Sequence, residues 1–310
     1  MQKVKLVNSN LEVSNLCLGG NVFGWTSDKE ESFEVLDAFF QAGGNFIDTA
    51  DMYSHWVPGN KGGESETILG NWMKARNNRN QIVLATKVAK LPTRAGLSAQ
   101  NIKAAVSESL ARLQTNYIDL YWAHEDDPNS PLLETLTAFN DLLKAGTIKA
   151  FGASNYSVER IKEAHQIAKA NGIKSFTAIQ NEYNMVERSA YEKSFGKEAF
   201  ALGLDQIPYY SLASGFLSGK YQQGGAVNSQ RAGGVAKYQT QGGYLLIEAI
   251  KNLALKHNSN ASAVSLAWLR AKNCVPIASA RTIAQLNEIV QEVRLSGDEV
   301  NALDVKSLAF

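Results

Sequence analysis

Cysteine is scarce: Cys17 and Cys274 are the only two in 310 residues. Two thiols cannot staple a chain of this length, and without a C-x-x-C pair the usual thiolate metal sites are excluded. Both lie among apolar, strand-like residues, so they are expected to be buried free thiols, in keeping with a reducing cytoplasm. Net charge is lacking too. With 31 basic and 30 acidic side chains the formal charge is +1, so no global field draws a phosphate backbone or an anionic lipid surface. No apolar stretch reaches the ~20 residues that a bilayer span needs. The opening MQKVKLVNSNLEVSNLCLGG lacks the unbroken apolar core of a secretory signal. The expectation is a cytoplasmic protein with neither nucleic acid nor membrane as partner. The oligomeric state is left open.

What is present is alternation. Apolar runs at Leu16–Leu18, Asn45–Asp48, Ile82–Thr86, Ile118–Ala123, Lys149–Ala153, Ala178–Asn181, Gln206–Tyr210 and Val275–Ala278 are separated by stretches at helical spacing. Ser27-Asp28 opens Lys29–Gln41 and Gly43-Gly44 stops it; Ser98 precedes Asn101–Leu113; Leu132–Ala145 ends at Gly146; Ser157 precedes Val158–Ala170, which ends near Gly172. Eight strand-helix units with short connections predict one α/β domain, a (β/α)8 TIM barrel over residues 1–310. Val4–Val7 and Leu11–Leu16 alternate around Asn8-Ser9-Asn10 and predict a hairpin within residues 1–16 that plugs the barrel bottom. Gly215–Gly243, rich in Gly, Gln, Ser and Ala with little periodicity, is expected to be a flexible flap beside a cofactor. No G-x-G-x-x-G follows the first strand, which argues against an open dinucleotide-binding sheet.

Three early strands end in chemistry. The second runs into Asp48, with Tyr53 on the loop above; the third runs into Lys87; the fourth ends at His124. All strand C-termini of a parallel barrel open on one face, so these four side chains converge there. Reduction of a carbonyl by hydride transfer makes an alkoxide that needs a proton and charge stabilisation. A tyrosine hydroxyl can give the proton, although its ordinary pKa is about 10. An ammonium beside it favours the phenolate and lowers that value. Lys87 supplies the ammonium, Asp48 holds it, and His124 donates to the carbonyl oxygen. No metal is required, and no metal-ligand spacing is present.

NFIDTADMY, LATK and IDLYWAH resemble the Asp-Tyr-Lys-His tetrad segments of the aldo-keto reductase family, in its branch of bacterial reductases and potassium-channel β subunits. The likeness runs in order through nearly the whole chain. It implies Tyr53 as general acid tuned by Lys87 and Asp48, with His124 orienting a small-molecule carbonyl substrate. Gly20 and Asn21 resemble the family's first loop. Ser154 and Asn155 of FGASNYS, with Gln180 of AIQNEYN, are implied to bind the nicotinamide carboxamide. YYSLASGFLSGK resembles the segment in which Tyr210 would stack on the nicotinamide, followed by Ser211, Leu212, Ala213 and Gly215, with Leu217, Gly219 and Lys220 near the phosphates. VPIASARTIAQLNEI resembles the adenosine-side motif, with Glu288 on the adenine ring. Two departures stand out: Ser279 replaces the usual glycine, and Ile289 the usual asparagine.

Arg281 bears on cofactor choice. A guanidinium there pairs with a 2′-phosphate, with Gln285 one turn on sharing it, which favours NADPH over NADH. Trp25, Tyr53, Trp56, Trp122 and His124 are expected around the substrate, where aromatic walls suit a planar or apolar carbonyl compound. The alternative function is a nicotinamide-binding regulatory protein of low turnover, like a channel β subunit. An intact tetrad favours the enzyme.

Overall fold

Residues 1–221 and 232–308 are described by a computed structural model. The first strand-like segments pair as an antiparallel hairpin, β1 (Lys3–Leu6) and β2 (Leu11–Ser14), with Leu6 opposite Leu11. Leu11 and Val13 are buried while Glu12 between them is exposed, the period of two of a strand with one covered face.

Eight parallel strands follow: β3 (Cys17–Gly19), β4 (Phe46–Asp48), β5 (Val83–Val88), β6 (Ile118–Ala123), β7 (Ile148–Ser154), β8 (Ala178–Gln180), β9 (Asp205–Gln206) and β10 (Ile277–Ala278). β3 to β9 pair in chain order and β10 pairs with β3. The ring closes between β9 and the approach to β10: Val275 N donates to Gln206 O, and Ile277 N to Pro208 O, both at 2.9 Å. The fold is therefore the expected barrel. The last two strands are shorter than their apolar runs because Pro208 and Pro276 have no N–H to give the ladder. Their carbonyls still accept, Pro276 O from Cys17 N at 3.0 Å.

Helices α1 (Lys29–Gln41), α2 (Glu64–Arg76), α3 (Ala99–Leu113), α4 (Leu132–Lys144), α5 (Val158–Asn171), α6 (Arg188–Tyr191), α7 (Lys197–Ala201), α8 (Gln241–Lys256), α9 (Ala261–Ala271), α10 (Ile283–Ile289) and α11 (Gly297–Ser307) account for the periodic stretches. Their starts are chemically marked. Asp28 and Glu31 form a reciprocal capping box at α1, and Ser98 and Ser157 cap α3 and α5. Gly172 ends α5 at φ 63°.

Alternation along the strands separates two apolar layers. Leu18, Ile47 and Leu84 pack outward on Leu36, Phe39 and Leu69 of α1 and α2. Cys17, Phe46, Ala85, Leu120, Trp122 and Ala150 fill the barrel interior. Room for Trp122 comes from Gly152, where a Cβ would lie 2.4 Å from the indole. The hairpin adds Leu6, Leu11 and Val13 to this interior cluster. It is tied to strand N-termini, with Ser14 N donating to Asn45 Oδ1 at 2.6 Å and Val7 N to Asp205 Oδ1 at 2.9 Å. It thus covers the bottom of the barrel, leaving the top for chemistry. Of the expected flap, residues 222–231 lie outside the described residues; the rest carries 3-10 turns at Ala213–Ser218, Ala232–Gly234 and Ala236–Tyr238 and the start of α8.

Candidate active site

The top of the barrel opens into a cleft of about 490 Å³. Asp48 is the last residue of β4, Lys87 the penultimate residue of β5, and His124 follows β6. Inward alternation aims Lys87 at the barrel axis, where it is wholly buried. Its Nζ donates to Tyr53 Oη and to Thr49 O, both at 2.8 Å, and to Asp48 Oδ2. Gln180 Nε2 donates to the other Asp48 oxygen at 3.0 Å. The rings of Tyr53 and His124 meet edge to face at 6.1 Å. All four side chains meet as expected.

Burial pulls the Lys87 ammonium down, but Asp48 and Tyr53 outweigh it and hold the group above its ordinary range. For Asp48 burial dominates and raises the carboxyl, with Lys87 offsetting part of the shift. The Tyr53 phenol departs from expectation. Burial raises it, and Lys87 opposes that rise without reversing it. Tyr53 is therefore a protonated phenol at neutral pH. His124 is held well below its usual range by burial, then by Lys87 and Lys90, so its imidazole is neutral. Its Nδ1 is buried without a hydrogen-bond partner among the described residues.

The cleft is also lined by Ser154, Asn155, Gln180, Ser211, Leu212, Gly215 and Lys220, and by Arg281, Gln285 and Glu288, as expected. Asn155 Nδ2 donates to His124 O at 2.9 Å, which couples the amide to the tetrad. Gln285 Oε1 accepts from Arg281 N at 2.9 Å, which steadies the turn carrying the guanidinium.

Other expected positions stand elsewhere. Asn21 lines the cleft with Gly19, whereas Gly20 sits behind it, its N–H donating to Asp48 O at 2.8 Å. Ala213 and Leu217 are wholly buried in the outer core, and Gly219 packs against Lys251 and Ala261; Ser214 and Ser218 line the cleft in their place. Trp122 is wholly buried inside the barrel, so it supports the site from below and forms no wall. Trp25 is a wall, and the half-exposed Trp56 meets it edge to face at 5.5 Å as the rim.

The two adjacent tyrosines divide differently from the sequence expectation. Tyr209 packs with the barrel-interior cluster and Tyr210 with the outer one, although both reach the cleft. Tyr209 Oη donates to Asn155 Oδ1 at 2.8 Å. Burial, then Glu182 and Tyr53, push its phenol up to about 12. Tyr210 has φ 63° and accepts from Ser214 Oγ at 2.7 Å. Continuing the two-residue period past β9 would have found Tyr209. Lys90, Thr26 and Ser262 also line the cleft without having been singled out; Lys90 follows Lys87 by three residues, too little signal to single it out.

Among the described residues no cluster of histidine, cysteine and carboxylate residues can hold a metal, and no helix is long and apolar enough to cross a membrane. The family model of the aldo/keto reductase family matches residues 15–307. An aldo-keto reductase of Fusarium vanettenii is 30% identical over 96% of this chain and 89% of its own length. The oxidoreductase YrpG of Bacillus subtilis is 31% identical, covering 96% and 93%, and protein Tas of Escherichia coli 28% identical, covering 96% and 95%. With the barrel, the tetrad and these relatives in agreement, the chain belongs to the aldo/keto reductase family of oxidoreductases.

Proposed function

We propose that this protein reduces an aldehyde or ketone to its alcohol at the expense of NADPH, with Tyr53 as the proton donor. The observation that carries the reading is the 2.8 Å contact between Lys87 Nζ and Tyr53 Oη inside the cleft that His124 also enters. The donor set fits a nicotinamide dinucleotide. Amides (Asn155, Gln180) hydrogen-bond to the tetrad, and Ser154, Ser214, Ser218, Lys220, Arg281 and Gln285 line the same cleft. The cofactor, when bound, supplies the hydride.

The chain's own groups do the rest. Neutral His124 donates a hydrogen bond to the carbonyl oxygen and orients it. Tyr53 gives that oxygen its proton, and Lys87 stabilises the phenolate left behind. Asp48 holds Lys87 in place. Tyr209, rather than Tyr210, offers its ring to the nicotinamide, because it is the one facing the tetrad. Trp25 and Trp56 screen the reacting atoms from water. Arg281 favours NADPH over NADH through the 2′-phosphate. Two buried thiols support a reducing, cytoplasmic setting.

The test is consumption of NADPH with an aromatic aldehyde and with a quinone, followed by kcat/KM for NADPH and NADH on the better substrate. Turnover with NADPH preferred is expected. Tight cofactor binding with negligible turnover across such a panel would favour the regulatory alternative.

A further inference from the structure

Lys90 is a charged cleft residue whose part in the reaction described above is only to help keep His124 neutral. It lies two residues past the end of β5 and lines the cleft together with Tyr53 and His124. The backbone is bent to carry it there. Ala89, just before it, has φ 118° while only 2% exposed, a conformation that costs energy for a residue with a Cβ. Gly96 N donates to Ala89 O at 2.9 Å, and Ala89 bridges Ala95, so the bend is fastened from the following loop. Strain held in this way at a cleft wall is characteristic of residues placed for a task.

The Lys90 ammonium meets Glu125 at 3.3 Å, with the two side chains 34% and 45% exposed. An exposed pair with one contact is weak, and an ammonium has three donors, so it can take a second acceptor. Lys87, by contrast, is fully engaged by Asp48, Thr49 and Tyr53. Nearby, Trp56 meets Trp25 at 5.5 Å and Tyr53 at 6.2 Å, which gives this end of the cleft an aromatic wall. A flat apolar surface and an available cation therefore border the same reacting centre.

We propose that Lys90 is a specificity residue that pairs with a carboxylate on the substrate, so that the preferred substrates are aromatic aldehydes or ketones bearing a carboxylate. The inference rests on the reductase reading given above. Glu125 carries the same charge as such a substrate and works against it. A bound aromatic ring displaces water from the cleft and strengthens the new ion pair relative to the exposed one it supplements.

The experiment compares kcat/KM with NADPH for 4-carboxybenzaldehyde and 4-methylbenzaldehyde in the wild type, Lys90→Met and Glu125→Gln. The wild type is expected to favour the carboxylate. In Lys90→Met the ratio of the two kcat/KM values should fall at least roughly tenfold, the effect of one lost charged hydrogen bond. Most of that fall should come from KM for the carboxylate. Glu125→Gln should raise the ratio. A ratio that stays within about twofold in Lys90→Met overturns the proposal while leaving the reductase reading intact. A wild type that reduces the quinone but neither aldehyde overturns this proposal alone; one that reduces none of the three removes the reductase reading with it.

Discussion

In the proposed reaction Tyr53 bears the sharpest demand of any side chain, because it would have to hold its proton until the carbonyl oxygen needs it. Tyr53→Phe should lower kcat by roughly 10²–10⁴ with cofactor affinity little changed, the span of a lost general acid; unchanged turnover would place the proton elsewhere. The direction of its shift also sets a pH dependence. A phenol held above its ordinary value of 10.0 keeps its acid form throughout the neutral and mildly alkaline range. The reductive kcat should therefore stay level up to about pH 10. An alkaline decline centred near pH 7 or 8 would mean that Lys87 wins over burial after all. Lys87→Met is a blunter probe, since it leaves Asp48 buried without its counterion. Breaking a buried pair of this kind costs about 3–5 kcal/mol, so lower thermal stability should accompany lower turnover.

At the scale of elements, the loop from β4 to α2 stores an unusual group. Asp51 is 1% exposed, and among the described residues neither of its carboxyl oxygens has a side-chain hydrogen-bond partner. Glu66 of α2, close enough to act on it, is itself satisfied by Thr86 at 2.5 Å and Arg112 at 2.6 Å. Burial, then Glu66, push the Asp51 carboxyl well above its usual range, with Arg112 opposing. Its folded pKa exceeds the unfolded value of about 4. Above that pH the unfolded chain releases the proton while the folded chain retains it. Stability is therefore complete below the unfolded pKa and falls as pH rises from there toward the folded pKa, by up to about 1.4 kcal/mol per pH unit. Asp51→Asn should flatten the decline above about pH 4 in denaturant titrations; parallel curves would show that the carboxyl has found a partner. In β7, Gly152→Ala should cost about 1–3 kcal/mol, because the added methyl collides with Trp122 and overpacks the interior.

For the molecule as a whole, the cleft runs from the tetrad to Arg281 and so ties ligand binding to stability. NADPH at a hundred times its Kd should add about 2.7 kcal/mol to unfolding, visible as a raised Tm. Arg281→Leu should reduce the NADPH:NADH ratio of kcat/KM roughly tenfold to a hundredfold, since a charged hydrogen bond is lost for one cofactor alone. Equal losses for both would assign Arg281 a structural role.

Much of this arrangement was legible in the chain. Period-two and helical spacings, with Asp28, Ser98 and Ser157 as caps, marked the elements, because local hydrogen bonding and burial act over a few residues. Parallel strands then sent Asp48, Lys87 and His124 to one face without further information. What only the tertiary structure decided depends on neighbours distant in sequence. The shortened strands follow prolines set into a closing ring, and Trp122 went inside the barrel because Gly152 made room for it. Tyr209 took the tetrad side, and Lys90 entered the cleft on a strained Ala89. The net rise in Tyr53 was equally out of reach, because burial and an ammonium push a phenol in opposite directions. Which one prevails is set by packing that no spacing along the chain encodes.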